Sequence, residues 1–282
     1  MTKRAKGTLA LILAFVVLAN AGIFWKLSYS KTHTSGDTIV VRVGDTVAAN
    51  HPISQALYIF EEELERISNG RFDVRVYINS ALGGDRQQTE SVILGYMQGN
   101  TPPTSVLAGF DTRFMVDLPF VFKSGEAAMK TLNGDLGEEL DPILEDLGLH
   151  AVGWTESGYR HITTNNIEAT SPEALKGLSI RTQENPIHMA SFQAWGASPT
   201  PMAFSELFTA LQQGAVDAEE NPLAVITANR LYEVQNTVTL TGHFYTAGIF
   251  NFNKDFYDSL EGQDKEWFDE AAEHFVENLT QM

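Results

Sequence analysis

The feature that most constrains the fold is a repeated alternation of short β-rich segments with amphipathic helical segments. In the first half, strands are predicted at 38–43, 72–78, 105–108 and 150–155, and helices starting near Ser54 and at 85–98 and 136–147. The pattern restarts after Gly158, with strands at 161–163, 178–181 and 215–218 and helices near 187–195 and 205–213. Such alternation is typical of an α/β sheet with helices on its faces. The sequence therefore predicts two successive α/β units.

The length of the chain agrees with two domains. Its 282 residues exceed the usual size of one hydrophobic core, and a hydrophobic content of 43% is typical of a globular protein. A strand at 242–251 and a helix at 263–279 follow the second unit. We therefore predict a first domain formed by 38–157 plus 247–282, and a second formed by 158–246. The chain ends inside the last helix without a stop signal, so we expect a truncated C-terminus.

The N-terminal segment predicts export. Lys3, Arg4 and Lys6 precede an uncharged apolar run at 9–25, as in a secretory signal. The segment Ala19-Asn20-Ala21 offers a cleavage site between small residues, whereas an uncleaved run would be an N-terminal anchor. We interpret 1–25 as an export signal or anchor and 26–37 as a linker, and both alternatives place the folded part in the periplasm.

Charge and composition exclude several partner classes. The formal net charge is −17, so the surface repels nucleic acid and anionic lipid. The chain has no cysteine, which excludes disulfides, thiol catalysis and zinc-thiolate sites. An anionic ligand would therefore need local arginines and backbone amides that outweigh the long-range repulsion.

No familiar catalytic signature occurs in the sequence. Phosphate-binding loops, dinucleotide fingerprints, nucleophile elbows and His-Glu-x-x-His helices are absent. The seven histidines are never three to five residues apart, as a helical metal pair would be. We expect a protein that is not an enzyme and has no metal site and no cofactor.

Two arginines stand at informative positions in this acidic chain. Arg160 begins the second unit, and Arg181 ends the predicted apolar strand. Ligands of open α/β sheets lie beyond the carboxyl ends of the strands, so Arg181 is expected to face a cleft. A guanidinium group matches a carboxylate with two parallel hydrogen bonds. The alternative for either arginine is an ion pair between the domains.

Two further residues have both a structural and a ligand-binding interpretation. Asn221 follows a predicted strand, where its amide could cap a helix or hydrogen-bond a ligand. Phe204 precedes Ser205, the predicted helix cap, and could pack on the core or stack on a planar ligand.

Several separated motifs occur together and in a characteristic order. They are "LGGDR" at 82–86, "DLPFVF" at 117–122, "GYRHITTNN", "LKGLSIRTQENP" and "GASPTPMAFSELFTALQQGAVDAEENPL". With them the chain from Thr38 onward resembles the DctP family, the solute receptors of tripartite ATP-independent periplasmic (TRAP) transporters. The resemblance implies a two-domain α/β periplasmic binding protein fold, type II-like, with strand crossovers, a long hinge helix and a hinge-closing cleft. It also implies a monomer that delivers a small organic acid to membrane subunits driven by an ion gradient.

The resemblance also implies the ligand-binding residues. Arg181 matches the arginine that holds the substrate carboxylate, Arg160 a second cleft arginine, and Phe204 and Asn221 positions that line the pocket. Glu184 lies where the family varies with ligand. The first domain is expected to contribute Asp45, Thr46, the nearby His51, and Asp85, for which helix capping is an alternative.

The resemblance leaves the ligand and one rival function open. Two cleft arginines favour a C4-dicarboxylate, whereas Glu184 favours a sugar or hydroxy acid. The chain departs from the family at Thr101-Pro102-Pro103, so we expect a differently shaped first-domain wall. The rival function is a ligand-sensing ectodomain for a signalling partner, which an uncleaved N-terminal run would suit.

Overall fold

A six-stranded mixed sheet forms the framework of the protein. The structure is a computed structural model that describes residues 38–281. The strands of both sheets within these residues are β1 (Ile39–Gly44), β2 (Phe72–Tyr77), β3 (Gly99–Asn100), β4 (Leu149–Thr164), β5 (Ser179–Thr182), β6 (Ser198–Pro201), β7 (Glu219–Pro222) and β8 (Thr237–Asn253). The large sheet has the order β2-β1-β3-β8-β4-β7, and β5 and β6 form a separate parallel pair. In the large sheet β1 and β3 are parallel, whereas β8 is antiparallel to β3 and β4.

Helices cover the sheets as the alternating pattern predicts. They are α1 (Pro52–Ile67), α2 (Asp85–Ile93), α3 (Thr104–Leu107), α4 (Gly125–Leu132), α5 (Asp135–Asp146), α6 (Pro172–Leu175), α7 (Pro186–Ala194), α8 (Phe204–Gln212), α9 (Leu223–Ala228), α10 (Lys254–Asp258) and α11 (Gly262–Gln281). Helix α11 packs on α1 and β4. Phe60 and Phe268 meet edge to face there, with ring centroids 5.9 Å apart.

Two long strands connect two lobes. Strands β4 and β8 pair from Leu149 opposite Asn253 to Thr164 opposite Thr237. One buried cluster contains Leu149 and Ile249 from one end of this strand pair, together with Val92, Leu107 and Leu144. A second contains Ile162 and Phe244 from the other end, together with Phe192. A third, around Leu207, lies in α8 and its neighbours. We call β1–β3, α1–α5, α10 and α11 the first lobe, and α6–α9 with β5–β7 the second lobe. The expected two-domain α/β fold with strand crossovers is confirmed.

Three local predictions were wrong. Residues 105–108 were predicted as a strand but lie largely in α3, which begins after the extended residue Pro103 (φ −69°, ψ 151°). The place between β1 and β8 in the large sheet is instead occupied by β3. Helix α2 ends at Ile93, before Gly95 with φ +75°, and not at 98. The strand predicted at 215–218 begins at Glu219, so Asn221 lies within β7 and not after it.

The predicted export segment and linker, 1–25 and 26–37, lie outside the described residues. None of the helices within 38–281 is both long and apolar enough to cross a membrane.

Candidate ligand-binding site

Two adjoining cavities lie between residues of the first and second lobes. The outer cavity has a volume of about 330 Å³ and the inner one about 40 Å³. Both are lined by Asp85, Gln183 and Phe204. Asp85 and Phe204 were predicted from the sequence, whereas Gln183 was not. Two more predicted residues, Arg181 and Glu184, line the outer cavity. The inner cavity is lined by the remaining five: Asp45, Thr46, His51, Arg160 and Asn221. The structure therefore brings all nine predicted residues together.

Arg181 is held at the wall of the outer cavity by a backbone carbonyl. Its Nε and Nη2 donate to the oxygen of Met202 at 3.0 and 2.8 Å. Its Nη1 is buried and has no hydrogen-bond partner within the described residues. Burial, with repulsion from Arg160, lowers the pKa of Arg181 to about 10, so the guanidinium stays charged at neutral pH. Arg181 therefore presents an unpaired charged donor.

Arg160 is neutralised by a carboxylate of the neighbouring strand. Its Nε and Nη2 donate to Glu220 Oε2 and Oε1 at 2.5 and 2.8 Å, and both side chains are buried. Burial alone would raise the pKa of Glu220, but Arg160, His188 and His243 hold it well below the ordinary value. The ion pair foreseen as an alternative for Arg160 is present, although it lies between β4 and β7 of one sheet.

The side chain of Asn221 is engaged on both sides. Its Oδ1 accepts from Arg160 Nη2 at 3.0 Å, and its Nδ2 donates to Glu219 Oε2 at 2.6 Å. Thr163 donates to the other oxygen of Glu219 at 2.8 Å. Burial raises the pKa of Glu219 to about 7. The capping role considered for Asn221 is not observed, and the residue instead orders the arginine side of the inner cavity.

The first-lobe wall carries two carboxyl groups. Asp45 accepts from the backbone of Val47 at 2.7 Å and from the hydroxyl of Thr101. Burial, reinforced by the nearby charge of Asp85, raises the pKa of Asp45 to about 7. Thr46 donates to Asp85 Oδ1 at 2.9 Å. Gly84, not Asp85, is the cap of α2, so Asp85 is left facing both cavities.

His51 adds a neutral donor to this wall. It is the cap of α1, where its Nδ1 accepts from the backbone of Ile53 at 3.3 Å, and Ser54 is not the cap. The proton of the neutral ring is therefore on Nε2, which is buried without a partner in the described part of the chain. Burial lowers the pKa of His51 to about 4. The ring is therefore neutral at physiological pH.

Phe204 and Glu184 lie at the edge of the outer cavity. Phe204 is the first residue of α8, after Ala203, so the predicted Ser205 cap was wrong. Its ring centroid lies 5.8 Å from the guanidinium carbon of Arg181. Glu184 is exposed at the rim. Phe204 therefore lies against Arg181, whereas Glu184 makes no ion pair with it.

Sequence reasoning did not identify three residues that shape the site. Gln183 lines both cavities, and its Oε1 is buried without a partner in residues 38–281. Glu219 and Glu220 order Asn221 and Arg160 from behind. The adjacent acidic residues Glu219 and Glu220, directly before Asn221, were the available signal. Across the described residues, no group of three or more His, Asp or Glu residues could hold a metal ion.

Comparisons with known proteins identify the family of the chain. Residues 43–282 match the profile of "Bacterial extracellular solute-binding protein, family 7" (DctP). A solute-binding protein of Verminephrobacter eiseniae is 38% identical over 241 residues, which are 85% of this chain and 72% of that protein. The C4-dicarboxylate-binding periplasmic protein DctP of Rhodobacter capsulatus is 34% identical over 226 residues, 79% of this chain and 68% of that protein.

A solved structure shares the fold. The sugar acid binding protein DctPAm of Advenella mimigardefordensis, in complex with galactonate, superposes with a TM-score of 0.83 at 32% identity. The match covers 88% of this chain and 81% of that one. The chain spans 62% to 72% of the lengths of the first four curated relatives it matches.

Proposed function

We propose that this chain, which belongs to family 7 of the bacterial extracellular solute-binding proteins, captures a small organic acid in the periplasm and delivers it to the membrane subunits of a TRAP transporter. The observation that carries the proposal is the unpaired Nη1 of Arg181 at the wall of a cavity of about 330 Å³. Cavities of roughly 300 Å³ and more are typical of small-molecule sites.

The hydrogen bonds of Arg181 define how a carboxylate would bind. The side of the guanidinium that carries Nε faces the Met202 carbonyl. The opposite end, with Nη1 and the second hydrogen of Nη2, is left for a two-point contact with a carboxylate. The charge-assisted bonds contribute roughly 1.5 to 3 kcal/mol each. Phe204 and Asn221 would contribute from the second lobe, and Asp45, Thr46, His51 and Asp85 from the first.

The relatives support an acid as the ligand. One is described as binding C4-dicarboxylates, and another was solved with galactonate. The common group is a carboxylate, which matches Arg181. Their differences leave a C4-dicarboxylate and a sugar or hydroxy acid as the two candidate classes for this chain.

We propose that ligand binding closes the cleft by a hinge movement of the two lobes. Both cavities are lined from both lobes, so a ligand there contacts each side at once. A ligand shifts an open–closed equilibrium by the contacts it makes only in the closed state. The same proposal includes domain boundaries at 157/158 and 246/247, a monomeric state, and an export signal or anchor at 1–25. It also includes release of the acid unaltered, since a receptor of this family has no reaction to perform.

A thermal-shift screen against organic acids tests the function. A ligand at about 100 times its dissociation constant should stabilise the protein by about 2.7 kcal/mol. The proposal is wrong if no carboxylic acid raises the unfolding temperature while another solute class does. Recovery of a chemically altered acid after binding would contradict the receptor role.

A further inference from the structure

The cationic groups that line the two cavities are not equally available. Arg160 is paired with Glu220, and Arg86 is paired with Glu90 at 3.1 Å. Arg181 has no carboxylate within salt-bridge distance among residues 38–281. The Arg86–Glu90 pair is exposed, whereas Arg160 and Arg181 are buried. A buried charge needs a partner, so the buried arginines of the site leave a place for one anionic group.

The cavities also contain carboxyl groups without a cationic partner. Asp45 and Asp85 lie on the first-lobe wall, and Glu184 and Glu206 at the outer cavity. None of these four makes an ion pair within the described chain, and Asp45 and Asp85 accept hydrogen bonds from threonine hydroxyls instead. A second carboxylate on the ligand would meet this wall, and like-charge contacts of this kind cost several kcal/mol.

The unpaired neutral groups point to hydroxyls. His51 Nε2 needs an acceptor and Gln183 Oε1 needs a donor, and both are buried. A hydroxyl group donates and accepts, whereas an ionised carboxylate only accepts. One hydroxyl could accept from His51 Nε2 and donate its hydrogen to Asp85, and a second could donate to Gln183 Oε1. An ionised carboxylate has no hydrogen to donate to Asp85 or Gln183.

We infer that the ligand carries one carboxylate, bound at Arg181, and several hydroxyl groups, of which one donates to Asp85. This is a polyhydroxy monocarboxylic acid of the aldonic type, and the site discriminates against its dicarboxylic counterpart. The inference rests on the proposed function and deepens it, because that proposal left both ligand classes open.

Matched pairs of acids test the inference. Erythronate and meso-tartrate differ only in the terminal group, which is a hydroxymethyl in the first and a carboxylate in the second. Galactonate and galactarate form the same pair with six carbons. Calorimetric titration of the protein at about pH 8, where Asp45 is ionised, should show the monocarboxylate of the better-bound pair binding at least about tenfold more tightly.

A variant identifies the responsible carboxyl group. Asp85→Asn removes the negative charge and offers an amide donor, so it should reduce the preference for the monocarboxylate by about tenfold. Glu126→Gln changes the net charge equally at an exposed position of α4 and should leave the preference unchanged. Thermal unfolding of each variant checks that it is folded.

The outcomes separate this inference from the proposed function. Equal or tighter binding of the dicarboxylate by the unmodified protein overturns the inference while the function stands. An unchanged preference in folded Asp85→Asn overturns the role of Asp85. If no acid of either kind binds, the proposed function fails and the inference fails with it.

Discussion

Arg160 and Glu220 form a two-point ion pair inside the protein, with Nε–Oε2 and Nη2–Oε1 distances of 2.5 and 2.8 Å. Both side chains are almost fully buried, at 2% and 0% exposure. Glu220 is also within 3.3 Å of His243 Nε2. Because this pair engages Arg160, Arg181 is the buried arginine of the two cavities that has no carboxylate partner among residues 38–281. Glu220 positions Arg160.

Replacing Glu220 should destabilise the protein strongly. Glu220→Gln keeps the size of the side chain but leaves the buried charge of Arg160 without its counter-ion. Removing one partner of a buried ion pair costs about 3–5 kcal/mol. Chemical denaturation measures the loss. Glu219→Gln is the matched control, and we expect a smaller loss because the pKa of Glu219 is about 7 and the group is partly neutral already. Equal losses in the two variants would show that the ion pair does not explain the effect.

Replacing Asp45 should alter the pH dependence of stability. The pKa of Asp45 rises from its ordinary 3.8 to about 7 on folding, because the group is buried. Between these values the folded protein binds more protons than the unfolded chain, so this group's stabilisation is complete below 3.8 and is lost as pH rises through 7. Relative to Asp45→Asn, the free energy of unfolding should fall with rising pH by up to about 1.4 kcal/mol per pH unit. Chemical denaturation of the unmodified protein and of Asp45→Asn at a series of pH values measures this difference. Parallel changes in the two free energies of unfolding would contradict the prediction.

A glycine at the centre of the large sheet should not tolerate a methyl group. A Cβ at Gly99 would lie 2.6 Å from the ring of Phe252 and 2.9 Å from the backbone oxygen of Asn251. Gly99→Ala should therefore cost about 1–3 kcal/mol or more, as overpacked cores do. Gly177→Ala, where no atom lies within 4 Å of the added carbon but φ is +82°, should cost about 1 kcal/mol. Thermal unfolding compares the stability of the two variants. A larger loss of stability in Gly177→Ala than in Gly99→Ala would contradict the close packing around Gly99 in β3.

Strand and helix signals are local, so the sequence predicted the alternation of β and α elements. Four candidate site residues were singled out by their positions in that pattern, namely Arg160, Arg181, Phe204 and Asn221. The other five were implied by the resemblance to the DctP family. Alternating polarity marks strands such as β2, and Arg181 ends an apolar run that becomes part of β5. Capping was less predictable. Ser54 and Ser205 have the right side chains for caps, but His51 and Ala203 occupy the cap positions. In α1 the cap precedes Pro52, and proline favours the first helical position.

Partners across the sheet could not be predicted from the sequence. Arg160 and Glu220 are 60 residues apart and meet only because β4 and β7 pair. The sequence therefore left open whether Arg160 faces a ligand or an ion-pair partner. The unpaired atoms of His51 and Gln183 likewise depend on which elements enclose the inner cavity, and periodicity carries no information on that.

Calorimetric titration of Arg181→Lys with the best-bound acid tests the central claim most directly. A lysine places a single point charge where the guanidinium offers two parallel donors, and it cannot keep the Met202 contact as well. Binding should weaken by well over about tenfold, which is about 1.4 kcal/mol, whereas the exposed Arg113→Lys should bind as the unmodified protein does. Unchanged affinity in a folded Arg181→Lys variant would contradict the assignment of Arg181 as the carboxylate anchor.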